Sequence, residues 1–267
     1  STRRTQRRAM LMRPVSWQRP MGMHAIARLH GFALIMLLQG GALARAGACA
    51  DLARRVDAAG SGTVFVASYA TAEVGPLHRT AFLYDNAVAV IALIGCDELP
   101  RAQRIGDALL HALGHDRHWQ DGRLRNAYAA GAVGGGGDAV GLPGWWGGPQ
   151  SGWLEDRYQV GSDSGNNAWA ALALLQLARA SGAVRYREGA ERIATWLQQQ
   201  QDRRGAGGFS GGTFGHEPAP RAERWKSTEH NIDLAVVLER LGRWDAAAAA
   251  RRFVRSMWDP ACRCFAV

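Results

Sequence analysis

The chain has 267 residues, 47% of them hydrophobic, and a formal charge of +9; that is enough apolar content for a sizeable core and too much for a disordered polymer. Arg3, Arg4, Arg7, Arg8, Arg13, Arg19, Arg28 and Arg45 stand in residues 1–48 with no Asp or Glu, so this leader supplies +8 of the +9. The remainder is close to neutral, so the basic balance gives no argument for nucleic acid as a partner.

The leader has its own reading. A start at Met23 gives a short basic region, an apolar run around Phe32–Leu38 and an Ala46-x-Ala48 ending, the three-part pattern of a secretory signal peptide. The run is short for a transmembrane span, so the expectation is an exported protein without stable membrane insertion. Residues 1–48 form the leader and 49–267 the domain, with the mature chain beginning near Gly47–Ala50. The alternatives are anchoring by an uncleaved leader or by lipidation of Cys49, although AGAC lacks the usual large aliphatic residue. The other cysteines, Cys96, Cys262 and Cys264, show no zinc spacing. Export permits disulfides, four cysteines do not define their connectivity, and ordinary packing is an equal alternative.

Along the domain, Asp51–Ala59 reads as a first amphipathic helix. Three helices then start polar, run apolar and stop at Gly: Thr80–Gly95, Gly165–Gly182 and Thr228–Gly242. A helix apolar on every side is expected to be buried on every side. Each is followed by an amphipathic, Arg-rich partner, about Leu99–Leu113, Val184–Gln200 and Trp244–Trp258, which should face water on one side. After each partner comes a turn ending in an aromatic or apolar residue: WQDGRL at Trp119, QDRRGAGGFSGG at Gln201, WDPACRCF at Trp258. Such turns suit a loop or hairpin that returns the chain to the next buried helix. The Gly- and Trp-rich stretch 131–163 interrupts the spacing. Its GGGGDAVGLPG lacks the Lys-Ser/Thr ending of a phosphate loop and reads as a rim or lid.

Repeated hairpins of inner and outer helices describe an all-α toroid. Carried by YDNAVAVIAL, SGNNAWAALALLQLA and KSTEHNIDLAVVLERLG, the chain resembles the six-hairpin glycosidase-like superfamily of (α/α)6 barrels, from roughly Tyr69 onward. A full barrel of that kind needs about twelve helices, so the resemblance implies about half a barrel, with C-terminal truncation expected over an open arc. It also implies an oligo- or polysaccharide substrate, and a cleft on the rim where the inner helices begin. The expected function is an exported glycoside hydrolase. The alternatives are a sugar epimerase or polysaccharide lyase using His230 and Tyr84, or a non-catalytic glycan-binding or scaffold protein.

The polar starts of the inner helices carry the candidate chemistry. Glycoside hydrolysis needs two carboxyl groups, one protonated acid and one base or nucleophile. Glu229 is expected as acid and Asp85 as base, with Asp233, one turn beyond Glu229 on the same face, as the third candidate. Tyr84, Asn86, Asn166, Asn167, His230 and Asn231 are expected to bind sugar hydroxyls, and Trp145, Trp146 and Trp225 to stack on pyranose faces. Asp163 reads as a helix cap, and Trp169, Trp196 and Trp244 as packing. No metal motif or cofactor signature is found, and the sequence leaves the oligomeric state open.

Overall fold

A computed structural model describes residues 47–134 and 139–266. Residues 1–46 of the leader, including Met23 and the run at Phe32–Leu38, lie outside the described residues. Among those described, the architecture is an arc of helical hairpins. Helix α1 covers 47–58, α2 Leu83–Gly95, α3 Leu99–Gly114, α4 Ser164–Ser181, α5 Val184–Gln199, α6 Thr228–Arg240 and α7 Trp244–Ser256. Helices α2, α4 and α6 pack side by side as the inner row, and each is backed by its sequence successor, α3, α5 or α7. No described helix is long and apolar enough to cross a membrane.

The helix starts and stops have local causes. The Ser227 hydroxyl accepts from the His230 N–H and caps α6. Gly182 ends α4 with φ +71°, which a side chain would resist. Gly95 does not play that part for α2. It lies inside the helix, and Asp97 takes the left-handed conformation instead, at φ +61°. The start of α2 also differs from expectation, because Thr80–Phe82 is a strand paired antiparallel with Ala127–Ala129. Those three residues meet a partner strand, so the chain turns helical only at Leu83.

The turns between hairpins form short antiparallel ladders of two or three residues: Val64–Phe65 with Gly131–Ala132, Trp145–Trp146 with Trp153–Leu154, Ser162–Asp163 with Gly212–Phe214 and on to Arg221–Glu223, and Trp258–Asp259 with Cys264–Phe265. Gly212–Phe214 with Arg221–Glu223 and Trp258–Asp259 with Cys264–Phe265 are local hairpins that follow the turns at Gln201 and Trp258, whereas the turn at Trp119 forms none and the Val64 and Ser162 ladders join segments distant in sequence.

The core lies between the two rows, with Leu93, Leu109, Leu174, Tyr186, Trp196, Leu197 and Leu238 fully or almost fully buried. At Gly106 in α3 a Cβ would come within 2.2 Å of Leu177 Cδ1, so this glycine lets α3 and α4 approach closely. The inner helices are not buried all round, however. α2 exposes Tyr84, Asp85, Val88 and Ala92, and α6 exposes Glu229, Ile232 and Val236. Nothing among the described residues covers these strips, which therefore form an open inner face.

Two cross-links stand in the domain. Cys49–Cys96 ties α1 to the turn after α2, and Cys262–Cys264 closes the terminal hairpin. A buried ion network fixes the loops that lead to α4. Arg125, with no exposed surface, donates to Asp116 at 2.5 and 2.8 Å, to the Val160 carbonyl at 3.0 Å and to Glu217 at 2.9 Å. Arg117 joins Glu217 to Glu155. Burial opposes the charge on Glu217, but Arg117 and Arg125 hold its carboxyl down to about 2.

Candidate functional site

The fourth residue of each inner helix is an asparagine, and the structure gives all three the same task. Asn86 Oδ1 accepts from the Val66 N–H at 2.9 Å, while its Nδ2 donates to the carbonyls of Val66 and Phe82, both at 3.0 Å. Asn167 treats Leu124 identically, at 2.8 and 2.9 Å, and reaches back to the Asp163 carbonyl at 3.0 Å. Asn231 does so with Phe209, at 2.8 and 3.1 Å, and with the Ser227 carbonyl at 2.9 Å. Each amide thus clamps both backbone groups of one residue in the segment that returns from an outer helix, and fastens it to the first turn of an inner one. These side chains are buried and their hydrogen-bonding capacity is used on backbone. The expectation that Asn86, Asn167 and Asn231 bind sugar is therefore corrected.

The clamps line up the three helix starts on one rim. There an open groove of about 380 Å³ is lined by Tyr69, Phe82, Tyr84, Asp85, Tyr158, Asn166 and Glu229. Asp85 from α2 and Glu229 from α6 face the same space, which Tyr84 and Asn166 also line. The aromatic wall is continuous: Tyr69 meets Phe82 edge-on with ring centroids 6.1 Å apart, and Phe82 lies 6.4 Å from Tyr158. Asn166 donates to Asn126 Oδ1 at 2.9 Å and to the Tyr158 hydroxyl at 3.3 Å, so its amide nitrogen is already oriented from below.

Two further carboxyl groups stand just behind the groove. Asp233 accepts from Trp169 Nε1 at 3.0 Å; burial pushes its pKa up to about 6, helped by the charge of Glu229 and opposed by the Trp169 bond. Trp169, read as packing, also sets its ring edge-on to Tyr84 at 5.3 Å, linking the third carboxylate to the groove lining. Asp163, expected as a helix cap, is the second. It occupies the cap position of α4 but makes no side-chain cap bond. Burial raises its pKa to about 6, against the pull of Asn126 and Tyr158. Its setting in GSDSG, among small residues that permit close packing, was the available signal. Tyr69 and Tyr158 were missed because isolated loop aromatics carry no period, and Phe82 because it reads as part of the apolar run of the helix expected from Thr80.

Other expected residues lie apart from the groove lining. His230 packs on α4, where a Cβ at Gly165 would meet its ring at 2.3 Å, and Trp225 lies 5.3 Å from it on the other side. Its Nδ1 is buried without a partner, and burial lowers its pKa. Trp225 is 45% exposed and covers Gly211, whose Cβ would touch the indole at 2.5 Å. Trp145 and Trp146 belong to their own hairpin with Trp153, and neither lines the groove. No group of three or more potential metal ligands occurs among the described residues.

Comparison with solved structures finds an unsaturated glucuronyl hydrolase from Bacillus sp. GL1, responsible for the degradation of glycosaminoglycan. The match has a TM-score of 0.56 at 12% identity and covers 83% of this chain and 58% of that one. The likeness is one of fold. No family model and no curated protein matches the chain. The described residues form a partial α/α toroid spanning a little over half the length of its structural neighbour. The rim at the starts of the inner helices is the end of the toroid that carries the groove.

Proposed function

We propose that the protein is a carbohydrate-active enzyme, a glycoside hydrolase that cleaves oligo- or polysaccharide with Glu229 as general acid and Asp85 as base or nucleophile. The observation that carries this reading is the shared groove: two carboxylates from different inner helices line one aromatic-walled space. Aromatic rings suit the apolar face of a pyranose, and paired carboxyl groups suit protonation of the leaving oxygen on one side and attack at the anomeric carbon on the other. In this reading Glu229 donates its proton to the glycosidic oxygen while Asp85 activates water or attacks directly. Asn166 and Tyr84 orient hydroxyls. Asp233, held by Trp169, and Asp163, beside Tyr158, act as positioning residues through those aromatic partners.

The lyase or epimerase alternative finds less support. It requires His230 to exchange protons with the substrate, yet its ring is wedged between Gly165 and Trp225 and does not line the groove. Export is part of the proposal and is supported by the Cys49–Cys96 bond, since such bonds persist in oxidising compartments.

The test is turnover of an oligosaccharide panel by wild type, Asp85→Asn and Glu229→Gln. Each substitution is expected to reduce kcat by about a hundredfold or more, with unchanged helical circular dichroism. Glycan binding with no turnover in the wild type would leave a binding protein, and equal turnover in all three would remove these carboxylates from the mechanism.

A further inference from the structure

The charge around the groove is one-sided. Asp85 and Glu229 line it, Asp233 and Asp163 stand behind it, and no Lys or Arg lines it. None of the four carboxyl groups has an ion-pair partner among the described residues. Elsewhere carboxylates are regularly paired: Asp51, Asp57, Asp107, Asp116, Asp202 and Glu217 all sit against arginine. The charges that act on Asp163 and Asp233 are those of Glu223 and Glu229, and both push the pKa upward. The arginine-rich chain thus leaves its groove without a counter-charge. Hydrolysis requires two carboxyl groups, and the two behind them add further negative potential.

A site for a uronic acid sugar needs a cation or a dense set of donors for the substrate carboxylate, because a buried like-charge contact is strongly unfavourable. The lining here offers acceptors and aromatic faces, with the Asn166 amide and tyrosine hydroxyls as its neutral donors. An ammonium group, by contrast, would meet the complementary charge of Asp85, with Asp163 and Asp233 behind it, and could also lie against the aromatic wall. We infer that the groove selects glycans bearing free amino groups, such as glucosamine oligomers, and rejects uronate-containing ones. This rests on the carbohydrate reading of the same groove and assigns its substrate class.

Calorimetric titration of the full chain with four oligosaccharides of equal length tests it: glucosamine, its N-acetylated counterpart, a neutral glucan and a uronate oligomer. The glucosamine oligomer is expected to bind about tenfold or more tighter than the N-acetylated one, and the uronate to bind weakest. The preference should shrink as salt is raised from 20 to about 500 mM, and in Asp85→Asn. Equal affinity for the amino and N-acetylated oligomers, or uronate binding as tight as either, would overturn the inference and leave the carbohydrate reading standing. Binding of none of the four would overturn both.

Discussion

Replacing Asn167 by alanine tests the clamp that aligns the groove. The side chain is fully buried and makes three hydrogen bonds to backbone. Its removal leaves the Leu124 N–H and C=O without their partners in a dry site, and also frees the Asp163 carbonyl. A stranded buried polar group costs about 1–3 kcal/mol, and α4 already uses the Asp163 carbonyl in its first turn. Two orphaned groups thus give an expected loss of about 2–6 kcal/mol, a fall in Tm on the order of 10 °C for a domain of this size. Asn167→Asp separates hydrogen bonding from volume. The acceptor for Leu124 N–H is kept, but a carboxylate faces two carbonyl oxygens, so this variant should be as unstable as Ala at pH 8 and should recover partly when protonated near pH 4. Urea denaturation followed by circular dichroism at both pH values reads the outcome. A loss below about 1 kcal/mol in Asn167→Ala would show that the clamp contributes little and would reopen a ligand role for this asparagine.

Gly165→Ala should destabilise by about 1–3 kcal/mol through overpacking, because its Cβ would lie 2.3 Å from the His230 ring; thermal melts check it, and His230→Ala in the same chain should relieve it. The Cys49–Cys96 bond spans 47 residues, for which loop-closure entropy sets a ceiling of about 4 kcal/mol; the double Ser variant should lose about 2–4 kcal/mol in urea titrations. Asp233→Asn keeps an acceptor for Trp169 and removes a charge that burial disfavours. The folded pKa is raised from 3.8 to about 6, so the stability linked to that proton is present below 3.8 and lost as pH rises through 6. The variant should therefore match wild type near pH 4 and exceed it at pH 8, measured by denaturation midpoints across that range.

The sequence carried the helices clearly because their apolar residues recur at helical spacing and their ends are punctuated. The start of α2 was misread by three residues, since Thr80–Phe82 continues the apolar run but pairs with Ala127–Ala129, and a distant partner strand leaves no local mark. The rim itself was legible: Tyr84, Asp85, Asn166 and Glu229 all line the groove. The roles of the asparagines were not. Asn166 and Asn167 are neighbours of one type, yet the first reaches the groove and the second clamps Leu124. Helical rotation of one residue decides between them, and only the path of the returning segment reveals which way each faces. Likewise Asp163 looks like any acidic residue before a helix until its burial is seen.

A crystal structure of Glu229→Gln with a bound oligosaccharide tests most directly whether Asp85 and Glu229 act on one substrate. The prediction is a sugar ring against the wall formed by Tyr69, Phe82 and Tyr158, with its glycosidic oxygen within hydrogen-bond reach of residue 229 and the anomeric carbon facing Asp85. An oligosaccharide bound elsewhere, for example on the Trp145–Trp146 hairpin, with the groove free of sugar, would contradict it.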